Sequence, residues 1–140
     1  MKFEETHYNN GAVSYSIVED GIDAPFVTEA TVSPLGAYSL WWITEMAKEL
    51  YGNDIPTKMF YFHSFGTNPS LQGRGYGRKM LQHVKEMHHN CIITLCVSRA
   101  SWGNLSDRQL VEFYQSEGFI LLDRAKAGEY CMFPTMIIKL

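Results

Sequence analysis

NPSLQGRGYGRKML, Asn68 to Leu81, sets glycine at every second position, Gly73, Gly75 and Gly77, and then passes straight into a helical pattern. Each glycine costs roughly 0.5 to 1 kcal/mol relative to alanine in regular structure. Three together mark a place where the chain needs bare backbone. A helix N-terminus offers unpaired N–H groups and the positive end of the helix dipole, so a glycine-rich approach to it is a ready anion cradle. Arg74, Arg78 and Lys79 crowd the first turn, where the dipole disfavours cations by ~0.3 to 1 kcal/mol each. A multiply charged anion would turn that penalty into a gain, and a local rule broken in this way points to a functional site.

The flanks of the loop set the fold. Upstream, KMFYFHSFG (Lys58 to Gly66) is short and dense in aromatics, which favours a buried strand. Downstream, Gly77, Met80, Leu81, Val84 and Met87 fall at helical spacing, giving a helix that ends near His88 and His89. CIITLCV (Cys91 to Val97) then reads as a strand covered on both faces. Strand, loop, helix, strand is a βαβ unit, so the two strands should be parallel and the crossover right-handed.

Ahead of this unit, Asn10-Gly11 and Asp20-Gly21 are hairpin-type turns in a meander of three strands. Val13, Tyr15 and Ile17 alternate between the turns, and Phe26 to Val32 supplies the third strand. A helix follows, with its stripe on Trp42 or Ile43, Met46, Ala47 and Leu50, a C-terminal cap at Gly52 and a stop at Pro56. Beyond the βαβ unit, Ser106 and Gln109 are spaced as a capping box for a helix from about Asp107 to Ser116, which Gly118 ends. Phe119 to Leu122 and Tyr130 to Lys139 read as two closing strands around the polar DRAKAGE segment. The expected class is α/β (α+β): a mixed sheet with a central parallel βαβ unit, flanking helices and an N-terminal β-meander.

The 140 residues are 46% hydrophobic and 19% charged, enough apolar content for the core of one domain. No stretch approaches the ~18 uninterrupted apolar residues of a membrane span, and MKFEETHYNN is unlike a signal peptide; a soluble cytoplasmic protein without a membrane partner is expected. The net charge of −3 argues against nonspecific nucleic-acid binding. It conceals an asymmetry. Residues 1–70 hold nine acids and three bases (Lys2, Lys48, Lys58), whereas residues 71–140 hold six acids and nine bases. Cys91, Cys96 and Cys131 lack CxxC spacing and read as buried thiols. His83 and His88, five apart, do not share a helix face, so no metal site is expected.

The loop is neither GxGxxG nor GxxxxGK[ST]. Read as Q-x-x-G-x-G over Gln72 to Gly77 and preceded by GTNPSL, it resembles the acetyl-CoA pyrophosphate loop of the GNAT superfamily of N-acetyltransferases. A second pattern, DRQLVEFYQSEGF (Asp107 to Phe119), is similar to the family's later helix, with Phe113, Tyr114, Gly118 and Phe119 in the recurring places. The resemblance covers about Phe60 to Leu140. It implies one acyltransferase domain over 1–140, with 1–57 on the acceptor side and 58–140 binding acetyl-CoA. It implies cofactor contacts from Phe65, Gly66, Thr67, Gln72, Gly73, Arg74, Gly75, Tyr76, Gly77 and Arg78. The three early strands and single helix depart from the family's usual strand, helix, helix opening, and Asp107 stands where the family often has Asn.

N-acetyl transfer needs a neutral amine, a polarised thioester carbonyl and a proton for the departing thiolate. By the resemblance, Tyr114 protonates the sulfur and a backbone N–H of the strand ending at Gly66 polarises the carbonyl; by helix position alone Tyr114 is a core residue. Strand alternation places Tyr61, His63 and Phe65 on one face and Phe60, Phe62 and Ser64 on the other. The family's occasional glutamate base falls at Tyr61, whose ordinary pKa near ~10 makes it a poor base. His63 is the better chemical choice, with a satisfied core histidine, a water, Glu29 or Glu45 as alternatives. Trp41 and Trp42 could wall an acceptor pocket, serve a homodimer contact or simply pack. The expected function is acetyl transfer from acetyl-CoA to a primary amine, a small cationic molecule or a protein amino group, by direct attack. The rival is a noncatalytic module of the same fold that binds CoA or a partner as a regulator.

Overall fold

The computed structural model describes residues 1–22, 26–97, 105–122 and 134–140. Its strands form a mixed seven-stranded sheet in the order β1-β2-β3-β4-β5-β7-β6. The chain gathers into two compact units, Met1–Pro34 with Phe62–His89 and Leu35–Tyr61 with Asn90–Leu140.

In the first unit, β1 (Lys2–His7), β2 (Val13–Val18) and β3 (Thr28–Pro34) pair antiparallel in sequence order. This is the meander expected from the turn dipeptides. The alternation in β2 is real: Tyr15 and Ile17 are buried, while Ser14 and Ser16 are less so. Across from them, Thr28, Ala30 and Val32 of β3 are buried. β4 runs from Met59 to Thr67, and its Phe62–Thr67 part belongs to this unit. The helix α2 (Tyr76–Met87) buries Met80, Leu81 and Val84 and packs on β2 and β3. Met87, at the end of the predicted stripe, is exposed because the helix stops there, with His88 as its C-cap.

In the second unit, α1 (Ala37–Tyr51) buries Ile43, Met46 and Ala47 and ends at Gly52, as its stripe and cap predict. Leu50 departs from the expectation and is exposed, because the buried arc is narrower than the apolar one. The three buried residues join Met59, Ile92, Leu122 and Ile137 in one cluster, with Trp42 partly buried against it and Trp41 exposed. β5 (Ile92–Cys96) lies parallel to β4 through Met59, Phe60 and Tyr61. That is the parallel pair of the βαβ reading. β7 (Thr135–Lys139) runs antiparallel to β5 and to the short β6 (Ile120–Leu121). Tyr130 to Phe133, Cys131 and most of the 98–106 loop lie outside the described residues.

The helix α3 (Asp107–Ser116) carries the predicted capping box in full. The Ser106 hydroxyl accepts from the Gln109 N–H at 3.2 Å, and the Ser106 N–H donates to Gln109 Oε1 at 2.9 Å. Both groups are exposed, so the box acts on the helix end rather than on the core. Ser106→Ala should therefore lower stability by about 1 kcal/mol, the usual cost of losing an N-cap side chain, and Ser106→Asp should restore most of it. Urea unfolding of the three proteins with an unchanged m-value checks this.

Candidate functional site

The loop after β4 is built by local hydrogen bonds before any glycine is reached. The Asn68 N–H donates to the Val27 carbonyl at 2.8 Å, and the Asn68 side chain accepts from the Ser70 N–H at 3.2 Å and its hydroxyl at 3.0 Å. Pro69 to Leu71 make one 3-10 turn that buries Leu71. Gln72, the first letter of the loop motif, donates from Nε2 to the Thr67 carbonyl at 3.1 Å. It thereby ties the end of β4 to the start of the glycine run.

Gly73 and Gly75 then take φ of +81° and +83°, a conformation that costs an L-residue roughly 1 to 2 kcal/mol. A Cβ at either position would meet no heavy atom within 4 Å. These two glycines thus serve the backbone path and leave open space beside it. Gly75 is the N-cap of α2, whose first turn carries no acid; the N–H groups there have no carbonyl one turn back to bond. Gly77 differs from both: its φ is not positive, and an added Cβ would make ordinary contact with the Phe65 ring at 3.4 Å and Thr67 Oγ1 at 3.9 Å. Lys79 Nζ sits 5.4 Å from the centre of the Tyr76 ring, and Arg74, Arg78 and Lys79 are exposed. Open backbone, a helix start and cations fit a pyrophosphate.

Upstream on β4 the structure corrects the expected alternation. Ser64 has φ of +53°, which breaks the pleat in the manner of a bulge residue. Phe65 consequently meets Phe62, with ring centroids 5.0 Å apart. In a regular strand those two would point to opposite faces, so Phe65 does not share a face with Tyr61 and His63 as predicted. The same turn lets neighbouring side chains meet: His63 Nδ1 lies 3.0 Å from Ser64 Oγ, and His63 Nε2 lies 2.7 Å from Ser33 Oγ on β3. Burial lowers the His63 pKa below its ordinary 6.5, so the imidazole is neutral at pH 7. Nothing in the serines as letters flagged them; the left-handed backbone at Ser64 is the signal, and it is visible only in three dimensions.

In the second unit, Tyr114 of α3 is buried with its ring against Phe113 and Phe119, at centroid distances of 5.3 and 5.6 Å. Burial first, and the neighbouring Tyr61 second, push its pKa well above the ordinary 10. Tyr61 on β4 is raised to about 12, by burial first, then by Cys96 through charge and a side-chain hydrogen bond. Both phenols therefore keep their protons at neutral pH. Cys96 also approaches Thr135 Oγ1 at 3.7 Å. The structure thus brings Tyr61 and Tyr114 into electrical contact, a pairing that the sequence spacing did not suggest.

The histidines His83 and His88 meet through a third residue. The Tyr15 hydroxyl is 2.9 Å from His88 Nε2, and the Tyr15 ring meets the His83 ring edge-on at 5.4 Å, so one tyrosine contacts both. Phe3 stacks on His83 at 3.9 Å. Among the described residues no group of three or more His, Cys, Asp or Glu gathers as a metal site, and no helix is long and apolar enough to cross a membrane.

Comparison with known proteins agrees with the geometry. No curated protein sequence matches the chain. Among solved structures, the Bacillus subtilis N-acetyltransferase YlbP in complex with coenzyme A superposes with a TM-score of 0.59 at 16% identity, over 91% of this chain and 67% of that one. The Drosophila melanogaster polyamine N-acetyltransferase, which forms N-acetylagmatine, gives 0.55 at 14% identity, over 91% and 74%. An agmatine N-acetyltransferase in its apo form, as the S171A mutant, gives 0.54 at 14%, over the same shares. At these identities the likeness is one of fold. The family model for the acetyltransferase (GNAT) domain matches residues 26–121, a span that includes the glycine loop and the Tyr114 helix. The chain belongs to the GNAT acetyltransferase family.

Proposed function

We propose that this chain is an enzyme that moves an acetyl group from acetyl-CoA, the family's cosubstrate, to a cationic primary amine by direct attack. One observation carries the reading: Gly73 and Gly75 hold left-handed backbone beside open space, immediately before a helix whose own first turn contains no acid. A pyrophosphate placed there would receive backbone N–H groups from the α2 N-terminus and charge from Arg74, Arg78 and Lys79. Phe65, Gly66, Thr67, Gln72, Tyr76 and Gly77 complete the cofactor-binding segment in this proposal.

Two groups suit the proton chemistry. Tyr114, kept protonated by burial, is the proposed general acid for the departing thiolate, since an acid must still hold its proton when the C–S bond breaks. His63, kept neutral by burial, is the proposed general base for the incoming ammonium. The acceptor class rests on charge: residues 1–70 carry nine acids against three bases, which favours a cation. The polyamine and agmatine enzymes among the structural neighbours support a small amine of that kind. A noncatalytic CoA-binding regulator is the outcome that would replace this reading if acetyl-CoA binds and no amine releases CoA.

Acetyl-CoA should raise the melting temperature by several degrees, whereas NAD and ATP should do so much less; at 100 times the dissociation constant the gain is about 2.7 kcal/mol. Gly75→Ala should lower stability by about 1 kcal/mol, because φ of +83° disfavours a Cβ. Gly75→Asn, which tolerates that backbone better, should lose less stability and yet bind acetyl-CoA as weakly, since its side chain enters the space left for the ligand. An equal thermal shift with NAD, or full acetyl-CoA affinity in both variants, would count against the cradle.

Tyr114→Phe keeps the ring that packs on Phe113 and Phe119 and removes only the hydroxyl. Turnover should fall by roughly 10²-fold or more, with acetyl-CoA affinity close to wild type and a smaller loss for a donor whose thiol is more acidic. In the wild type, the acid limb of the rate profile should lie below pH 6.5, where His63 gains its proton, and no alkaline limb from Tyr114 should appear until above pH 10. Steady-state rates of CoA release from pH 5 to 10 measure both limbs.

A further inference from the structure

Ser33, His63 and Ser64 form a hydroxyl–imidazole–hydroxyl chain: Ser33 Oγ to His63 Nε2 at 2.7 Å, and His63 Nδ1 to Ser64 Oγ at 3.0 Å. Successive side chains on a strand point to opposite faces, so the second contact exists only because Ser64 leaves the strand conformation at φ of +53°. A residue held in that region by its surroundings marks a site where geometry outweighs local preference. Ser64 is exposed and Ser33 and His63 are half-buried. Ser64 is thus the most exposed member of the chain.

We propose that Ser64 is the catalytic residue that takes the amine's proton and relays it to His63, with Ser33 as a positioning residue that holds the imidazole and stabilises its charged form. The proposal rests on the acetyl-transfer reading above and names the group through which its base acts. Nδ1, as the acceptor from Ser64, fixes the resting tautomer with the proton on Nε2, donated to Ser33 Oγ. As the bound ammonium gives a proton to Ser64 Oγ, the Ser64 hydroxyl proton passes to Nδ1. The amine lone pair then attacks the thioester carbonyl, the C–N bond forms and the C–S bond breaks. The departing thiolate takes a proton from the proposed acid Tyr114, which regains one from solvent; the second amine proton is released to solvent as the amide forms, and the imidazolium returns its proton to solvent through Ser64. Uptake requires a neutral imidazole at the start. Burial keeps it so, lowering its pKa below the ordinary 6.5. Glu29 and Tyr61, the other titratable side chains of β3 and β4, are not among its causes.

The informative variant is Ser64→Gly, which removes the hydroxyl and suits the backbone, since glycine adopts positive φ freely. CoA release from acetyl-CoA with agmatine as the probe amine is followed from pH 5.5 to 10, beside melting temperature and acetyl-CoA affinity. Ser64→Gly should melt no lower than wild type and bind acetyl-CoA equally, and its kcat at pH 7 should fall by about tenfold or more. That deficit should shrink toward pH 10, where agmatine supplies neutral amine without a relay. Ser33→Ala, which takes an acceptor from the imidazolium, should move the acid limb to lower pH, and the His63 ring titration followed by NMR should move with it. Wild-type kcat at pH 7 in Ser64→Gly, or a deficit that stays constant across pH, overturns the relay alone. A wild type that binds acetyl-CoA and releases no CoA with agmatine overturns the acetyl-transfer reading, and the relay's catalytic role falls with it.

Discussion

The left-handed turn of the backbone at Ser64 is the constraint on which the first unit's chemistry depends. A strand that kept its pleat from Met59 to Thr67 would present His63 and Phe65 together and keep Ser64 away from both. Because the pleat breaks, Phe65 swings to Phe62 and comes to lie over the start of α2. That contact brings the Phe65 ring to within 3.4 Å of where a Cβ at position 77 would lie, ordinary van der Waals distance. One backbone torsion thus joins the imidazole's hydrogen bonds to the close approach of strand and helix. Against the cost of that torsion, on the order of 1 to 2 kcal/mol, stand the aromatic packing and the His63–Ser64 hydrogen bond it permits.

The features legible in the sequence are those written in local chemistry. Glycine run, capping box, turn dipeptides and apolar period each act over a few residues, and the elements they predict are present: the meander of β1 to β3, α1 with its Gly52 cap, the parallel β4 and β5, and the α3 capping box. What escaped was set by encounters between distant segments. Ser33 and His63 are thirty residues apart, and neither residue type at its position signals the other. The tyrosine that touches both His83 and His88 lies on β2, a shared neighbour that helix spacing has no means to show. The β4 parity failed for a further reason: alternation assumes an unbroken strand, and serine gives no warning that it will adopt positive φ, as glycine or asparagine would.

Burial controls ionisation throughout, and in opposite directions for the two kinds of group. It raises phenols and lowers imidazoles, because in each case it disfavours the charged form. Tyr61, Tyr114 and His63 are consequently all neutral at pH 7. The same cause thus acts within each unit separately: a phenol that keeps its proton is suited to act as an acid, and an imidazole that lacks one is suited to act as a base.

The cations of the α2 first turn are exposed instead. Arg78 and Lys79 stand where the helix dipole opposes them, and the only acid shown at that end among the described residues, Glu19, comes from outside the helix to the Tyr76 hydroxyl. In the absence of an anion this arrangement costs stability, and the same charges would be better placed at the helix's other end. The Lys79 ammonium lies near the Tyr76 ring, a contact that recovers only a fraction of a kcal/mol to about 1 kcal/mol at an exposed site. Ligand binding therefore has two effects to exploit, direct attraction and relief of the mutual repulsion among cation, cation and dipole. The second effect screens with salt, since all three charges are exposed and the Debye length is about 8 Å at physiological ionic strength. Raising salt should consequently stabilise the free protein's loop while weakening its hold on a phosphate-bearing ligand, so the ligand-induced stabilisation shrinks from both ends.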